Sequence, residues 1–222
     1  MVMGLLAKLL MTKQLRFEDG VISLKDINLT LLPSFFIAEL TKYYKKENNM
    51  SKFYFISWYW GYVLVRTVKE RFKLDTPDHV YSLGMDLGEA MGLGLYKTHD
   101  YFPGRYTHFV IKTNPILKYF KNEKIDVPID YFVSGAMAGG GCLVHNSVCQ
   151  NVETKCMHKG DAECDFLTGT EKELKDRGLW DTAVKRYDLD KYYPLQKEIF
   201  NNYNEANEVQ LLDSIINKID SI

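Results

Sequence analysis

Residues 142–166 read CLVHNSVCQNVETKCMHKGDAECDF, and the reading of this stretch decides the fold. It holds all four cysteines of the chain, two of its five histidines (His145 and His158), and Glu153 three residues before Cys156. Val152 to His158 reads as an extended arm, Lys159-Gly160-Asp161 as a turn, and Cys164 to Leu167 as the returning arm of a β-hairpin. Such a hairpin brings Cys156 and Cys164 together, with Glu153 one step up the first arm. Two soft thiolates and a carboxylate suit a tetrahedral zinc ion, although the Cys-x-x-Cys pair of a zinc finger is absent. Two other readings stand beside this one. The cysteines could be buried and reduced, packing as small hydrophobes, or a disulfide could join the arms, which the lack of a secretory leader opposes.

The pattern Glu153-x-x-Cys156, Gly160-Asp161 and Cys164-x-Phe166 follows a small-residue helix, Ser134-Gly135-Ala136-Met137-Ala138-Gly139. Together they resemble the 4-vinyl reductase domain, a small-molecule-binding family. Its relatives include the sensory domains of phenol-responsive bacterial activators and, more distantly, a vesicle-tethering (TRAPP) subunit. The resemblance spans roughly Gln14 to Thr168. It implies a zinc site containing Glu153, Cys156 and Cys164, a ligand cavity, and a tendency to form homodimers. It also implies that the strand before Asn114-Pro115 contributes to the pocket, which makes Tyr106 and His108 the ligand-binding candidates; His108 is equally well read as a satisfied interior histidine. In the phenol-sensor branch the fourth metal ligand is a Cys just before the small-residue helix. This chain departs from that pattern, with Asp126 and Asp130 in the region; Cys142, Cys149, His145 and His158 are the other donors in reach.

The composition is that of a soluble globular chain of 222 residues, 46% apolar and 26% charged, long enough for one substantial core and an extension. Fifteen Tyr and twelve Phe favour a large core or an aromatic-lined cavity. A net charge of −1 gives no electrostatic case for nucleic acid. Met1 to Met11 is apolar but interrupted by Lys8, too short to span a bilayer, and reads as an amphipathic helix. The cysteine usage points to a reducing, cytoplasmic setting.

Glu18-Asp19-Gly20 marks a first short hairpin. Pro33-Ser34 opens a helix that Asn48-Asn49 closes. Phe53 to Phe72 reads as a helix apolar nearly all round and therefore buried on several sides, with Trp58 and Trp60 in the core or one of them lining a cavity. Asp78 to Leu93 forms a third helix. Gly84, Gly88 and Gly92 at four-residue spacing suggest close approach of another helix, with Gly92-x-Gly94 ending it. No strand feeds these glycines and no Lys-Ser/Thr follows, which excludes a nucleotide loop. Leu95 to Thr98 and Tyr106 to Lys112 pair as strands; in the second, Tyr106, His108 and Val110 face one way and Thr107, Phe109 and Ile111 the other. In the helix from Ile129 to Val144, Gly139-Gly140-Gly141 marks a hinge, a place where backbone meets ligand, or an early end. Thr170-Glu-Lys-Glu173 is a capping box. The helices beyond it pack on the domain, on a second subunit, or on another protein.

These readings converge on an α+β fold, a mostly antiparallel sheet packed by helices. Residues 1–13 form an N-terminal amphipathic segment, 14–168 a ligand-binding domain and 169–222 a helical extension. The expected role is a sensor or regulatory domain that binds a small hydrophobic or aromatic molecule and carries structural zinc. Two alternatives are an accessory to vinyl-group reduction on a tetrapyrrole and a dimeric scaffold without ligand. No nicotinamide or flavin motif, Ser-His-Asp set or His-Glu-x-x-His pattern supports a stand-alone enzyme.

Overall fold

The hairpin around Gly160 forms one end of a four-stranded antiparallel sheet. Its arms are β6 (Cys149–Lys155) and β7 (Cys164–Thr170), joined through a single 3-10 turn at Met157–Lys159. The first arm therefore starts three residues earlier than its sequence suggests. Gly160 closes the turn at φ +98°, a conformation that favours glycine. The computed structural model describes residues 12, 14–18, 21–25, 27–30, 32–121, 130–203 and 213–218. The sheet runs in the order β4-β5-β7-β6, with β4 at Tyr96–Phe102 and β5 at Tyr106–Ile111. A separate antiparallel meander comprises β1 (Leu15–Glu18), β2 (Val21–Leu24) and β3 (Ile27–Leu29). The fold is α+β, antiparallel sheets packed by helices.

Three helices precede the main sheet: α1 (Ser34–Lys46), α2 (Met50–Phe72) and α3 (Pro77–Ala90). A fourth, α4 (Tyr131–His145), lies between β5 and β6. The crossing of α2 and α4 is set by missing side chains. A Cβ on Gly135 would lie 2.5 Å from the Tyr54 carbonyl oxygen, one on Gly139 would collide with the Trp58 carbonyl, and one on Gly61 with that of Ala136. The helix continues through Gly139-Gly140-Gly141 to His145, so the glycines neither end nor hinge it. Gly84 of α3 behaves differently: a Cβ there would meet nothing within 4 Å, whereas one on Gly88 would press on the Tyr96 ring at 3.2 Å.

Strand β6 is an edge strand, and its outward backbone groups are met by side chains. The Trp58 indole N–H donates to the Cys149 carbonyl (3.2 Å), the Asn151 N–H donates to the Tyr54 hydroxyl (3.2 Å), and Arg186 Nη1 donates to the Glu153 carbonyl (3.0 Å). An edge covered in this way is poorly placed to recruit another strand. Arg186 comes from the C-terminal part, where α5 (Glu171–Asp176), α6 (Trp180–Tyr187) and α7 (Leu189–Asn202) follow β7. These helices share the main core: Leu174, Ala183, Tyr187, Tyr192 and Ile199 cluster with Tyr54, Trp58 and Tyr62 of α2. Among the three options for this segment, packing on the domain itself is what the structure shows. Thr170 caps α5 by accepting the Glu173 N–H at 3.3 Å, while the Glu173 carboxylate turns away to Arg105 and Arg177.

The expected N-terminal amphipathic helix lies outside the described residues, as do Asp126 and most of 209–222. Within the last segment residues 213–218 are helical. Ile215 is buried and Ile216 exposed, so these two do not share one covered face.

Candidate functional site

Two features of the sheet stand out, a nest of acidic groups at its β6–β7 end and an apolar cavity on one face. In the nest, the register pairs Glu153 with Phe166, and an irregularity between Glu153 and Lys155 reshapes the strand just before Cys156. One carboxylate oxygen of Glu153 and the sulfurs of Cys156 and Cys164 all lie within 4.8 Å of one another, and all three residues are buried. The turn points backbone donors inward: the Met157 N–H donates to Cys164 Sγ at 3.4 Å, and the Cys156 N–H to Asp161 at 2.8 Å. Among the described residues, neither oxygen of the Glu153 carboxylate, both fully buried, meets a hydrogen-bond donor in acceptable geometry.

Asp130 adds a further acid. It sits at the start of α4, is buried, and receives a hydrogen bond from the Asn114 amide. Burial first, then the neighbouring Cys156, pushes its pKa up to about 8 despite that bond. Burial and then Asp130 raise the pKa of Glu153, and the Cys156 sulfur followed by burial raises that of Cys164. Buried acidic groups gathered this closely are unfavourable as anions, unless a cation sits among them. The two sulfurs and the Glu153 carboxylate form a donor set that suits a zinc-sized ion, with Asp130 outside the 4.8 Å span that joins the three.

The other donors raised by the sequence lie elsewhere. Cys142 Sγ interacts with the Ala138 carbonyl and the Cys149 N–H, and Cys149 Sγ with the Ser147 carbonyl. Burial and the adjacent Cys142 raise the Cys149 pKa, the opposite of an activated nucleophile. His145 bonds Thr107, and His158 stands edge-on to Phe120, 6.4 Å between ring centres.

The cavity lies between α2, α3, α4 and the sheet and has a volume of about 70 Å³. An apolar cavity of about 150 Å³ takes up benzene, so this one, at about half that volume, admits a single ring only if its walls give, as the flexible Met85 and Met137 side chains on it allow. Gly84, Met85, Phe109, Met137 and Gly140 are among its walls, and among the described residues no charged side chain lines it. Trp60 lines it with 37% exposure, while Trp58 is fully buried in the α2–α4 core. Tyr106 and His108 do not line it; Thr107 and Phe109, on the opposite face of β5, do. The Tyr106 ring is buried beneath the Arg177 guanidinium, 3.9 Å away. His108 lies between Asp165 (3.1 Å) and Asp100 (3.7 Å). The alternation of β5 was readable from the sequence, but which face met the helices was not.

No protein-family model and no curated protein matches the chain. Solved structures do. The phenol-responsive sensory domain of the transcription activator PoxR, crystallised with phenol, superposes with a TM-score of 0.63 at 16% identity, covering 79% of this chain and 94% of that one. At that identity the match establishes a shared fold. A trafficking protein particle complex subunit 3 from Naegleria fowleri, covalently bound to palmitic acid, gives a TM-score of 0.45 at 12% identity over 61% of this chain.

Proposed function

We propose that this chain is a small-molecule-binding sensor or regulatory domain, kin to the 4-vinyl reductase domain, that holds an apolar or aromatic ligand in the cavity. The observation that carries the reading is the cavity itself, kept open where Gly84 and Gly140 present no side chain. The shared fold with a sensory domain crystallised with phenol supports it. The size favours a single ring over a tetrapyrrole macrocycle. A buried hydrogen-bond path gives occupancy a route outward. It runs from Thr168 on the cavity wall to Asn151 (2.7 Å), through the Asn151 N–H to Tyr54, then Gln150 (2.9 Å) and Gln196 of α7 (2.6 Å). We assign the output to the C-terminal helices, to be read by a protein partner or a second copy.

We further propose zinc at Glu153, Cys156 and Cys164, with Asp130 as the fourth ligand. The ion would supply a structural cross-link, tying the β6–β7 turn to the start of α4. The support is the Glu153 carboxylate, buried beside two thiols and without a hydrogen-bond partner among the described residues. Protein purified without chelators should carry close to one equivalent of zinc, and Glu153→Gln or Cys164→Ser should lose most of it. Less than about half an equivalent in the unaltered protein would count against the site. Native mass spectrometry on the same preparation, with small aromatic compounds added, tests the sensor reading. A 1:1 adduct that also raises Tm supports it, and a panel of single-ring compounds that neither binds nor stabilises would overturn it.

A further inference from the structure

The polar side chains of the cavity lining are Thr107 and Thr168 on the sheet and Trp60 and Tyr81 on the helices, the Tyr81 hydroxyl being bonded to Thr98 outside the lining. Thr107 of β5 and Thr168 of β7 are directly opposite each other in the antiparallel register, and both line the cavity. Both residues are more than nine-tenths buried. Each hydroxyl has one hydrogen-bond partner among the described residues, and in each case that partner is a side chain outside the cavity lining. Asn151 Nδ2 donates to the Thr168 oxygen at 2.7 Å, and His145 Nε2 lies 3.2 Å from the Thr107 oxygen. Thr168 therefore keeps its own proton uncommitted.

What Thr107 offers depends on His145. Burial pulls the imidazole pKa down to about 4, so the ring is neutral at neutral pH and carries one N–H. If Nε2 carries the proton, Thr107 accepts it and keeps a proton of its own, and the two threonines present two donors. If Nε2 is bare, Thr107 donates to it and presents lone pairs beside the Thr168 proton. Two donors match a carbonyl oxygen; a donor beside an acceptor matches a hydroxyl, which uses both roles. Neither arrangement suits an anion, because no charged side chain lines the cavity and a carboxylate left without a counter-charge in an apolar site is strongly disfavoured. Helix α4 passes close to this spot, since a Cβ on Gly141 would lie 2.6 Å from the Thr168 methyl.

We propose that Thr107 and Thr168 are the polar anchor of the cavity, and that its ligand is an uncharged, otherwise apolar ring bearing one oxygen, a hydroxyl or a carbonyl, docked on the two threonine hydroxyls. This rests on the cavity being a ligand site. It adds which residues set specificity and which ligand chemistry they select.

Binding of toluene, phenol, benzaldehyde and benzoate at pH 7 tests it, followed by calorimetry and by the emission of Trp60 in the cavity wall. In the full chain phenol or benzaldehyde should bind about ten-fold tighter than toluene, as expected when a buried polar pair is satisfied, and benzoate should not bind. Which of the two oxygenated rings wins reports the His145 tautomer. Thr107→Val with Thr168→Val preserves side-chain shape, so toluene should still bind while the preference for the oxygenated ring falls to about one. Each single valine substitution should lower the preference by itself, so the test survives a double variant that does not fold. Toluene binding as well as phenol and benzaldehyde, or a preference that persists in the valine variants, would overturn the anchor and leave the cavity standing. If none of the compounds binds the unaltered chain, both the anchor and the sensor reading fall.

Discussion

The ring of Tyr187 lies flat on the ring of Tyr54, 3.6 Å between centres and 7° from parallel. Tyr187 ends α6 and Tyr54 lies in the first turns of α2, so this stack binds the C-terminal helices to the helix that covers the β6 edge. Both residues are essentially fully buried. Removing the ring in Tyr187→Ala should cost about 3–5 kcal/mol, or roughly 6–20 °C in Tm, and Tyr187→Phe should cost far less. Truncation after Thr170 should leave an unfolded or aggregating protein, because it also removes Arg186 from the Glu153 carbonyl and Leu174, Ala183 and Ile199 from the core. Thermal denaturation of the two point variants and circular dichroism of the truncation check this. A truncated chain that melts cooperatively near the full-length Tm would show the extension to be separable after all.

How far the sequence revealed this arrangement depends on the range of the interaction. Glu153, Cys156 and Cys164 were legible because a tight hairpin fixes their neighbours locally. Asp130 could be named only as one of several donors, since its approach to Cys156 depends on how α4 starts, a tertiary matter. The same limit governed β5: Tyr106/His108 and Thr107/Phe109 separate cleanly by parity, yet parity carries no sign, and the helices that choose the inner face come from distant parts of the chain. Gly84 of α3 and Gly139 of α4 sit in runs of the same spacing but in opposite surroundings, which only the packed structure distinguishes.

That contrast gives a paired prediction. Gly84 and Gly139 are both interior helix positions, where Ala is intrinsically favoured over Gly by about 1 kcal/mol. At Gly84 a methyl enters open space, so Gly84→Ala should stabilise by up to that amount. At Gly139 the methyl meets the Trp58 carbonyl, and α2 and α4 must move apart. Overpacking of that kind costs about 1–3 kcal/mol or more, which outweighs the propensity gain, so Gly139→Ala should destabilise. Urea denaturation of the two variants under one set of conditions should give shifts of opposite sign.

A larger side chain at Gly84 separates stability from binding. Gly84→Leu places apolar atoms into the cavity between α3 and the sheet, where they replace a ligand or water. The variant should melt at or above the temperature of the unaltered protein, and added phenol or toluene should no longer raise its Tm. Retained stabilisation by either compound would show that small rings bind elsewhere.

His145 supplies a pH signature. It is buried, its Nδ1 lacks a hydrogen-bond partner among the described residues, and burial holds its pKa near 4 against an ordinary value of about 6.5. Between those values the unfolded chain binds a proton that the folded chain refuses, so stability falls as the pH drops from about 6.5 to about 4 and is unaffected by this group above that range. A gap of about 2.5 units corresponds to about 3 kcal/mol. His145→Asn removes the titration, and the difference in unfolding free energy between variant and unaltered protein should shift by that amount in the variant's favour from pH 7 to pH 4. Taking the difference cancels the carboxylates, the half-buried Glu171 and the exposed Lys172 and Lys175 side chains near the histidine, which both proteins share. A difference that stays flat across this range would mean that His145 is solvated in solution, and that Thr107 is not held by it.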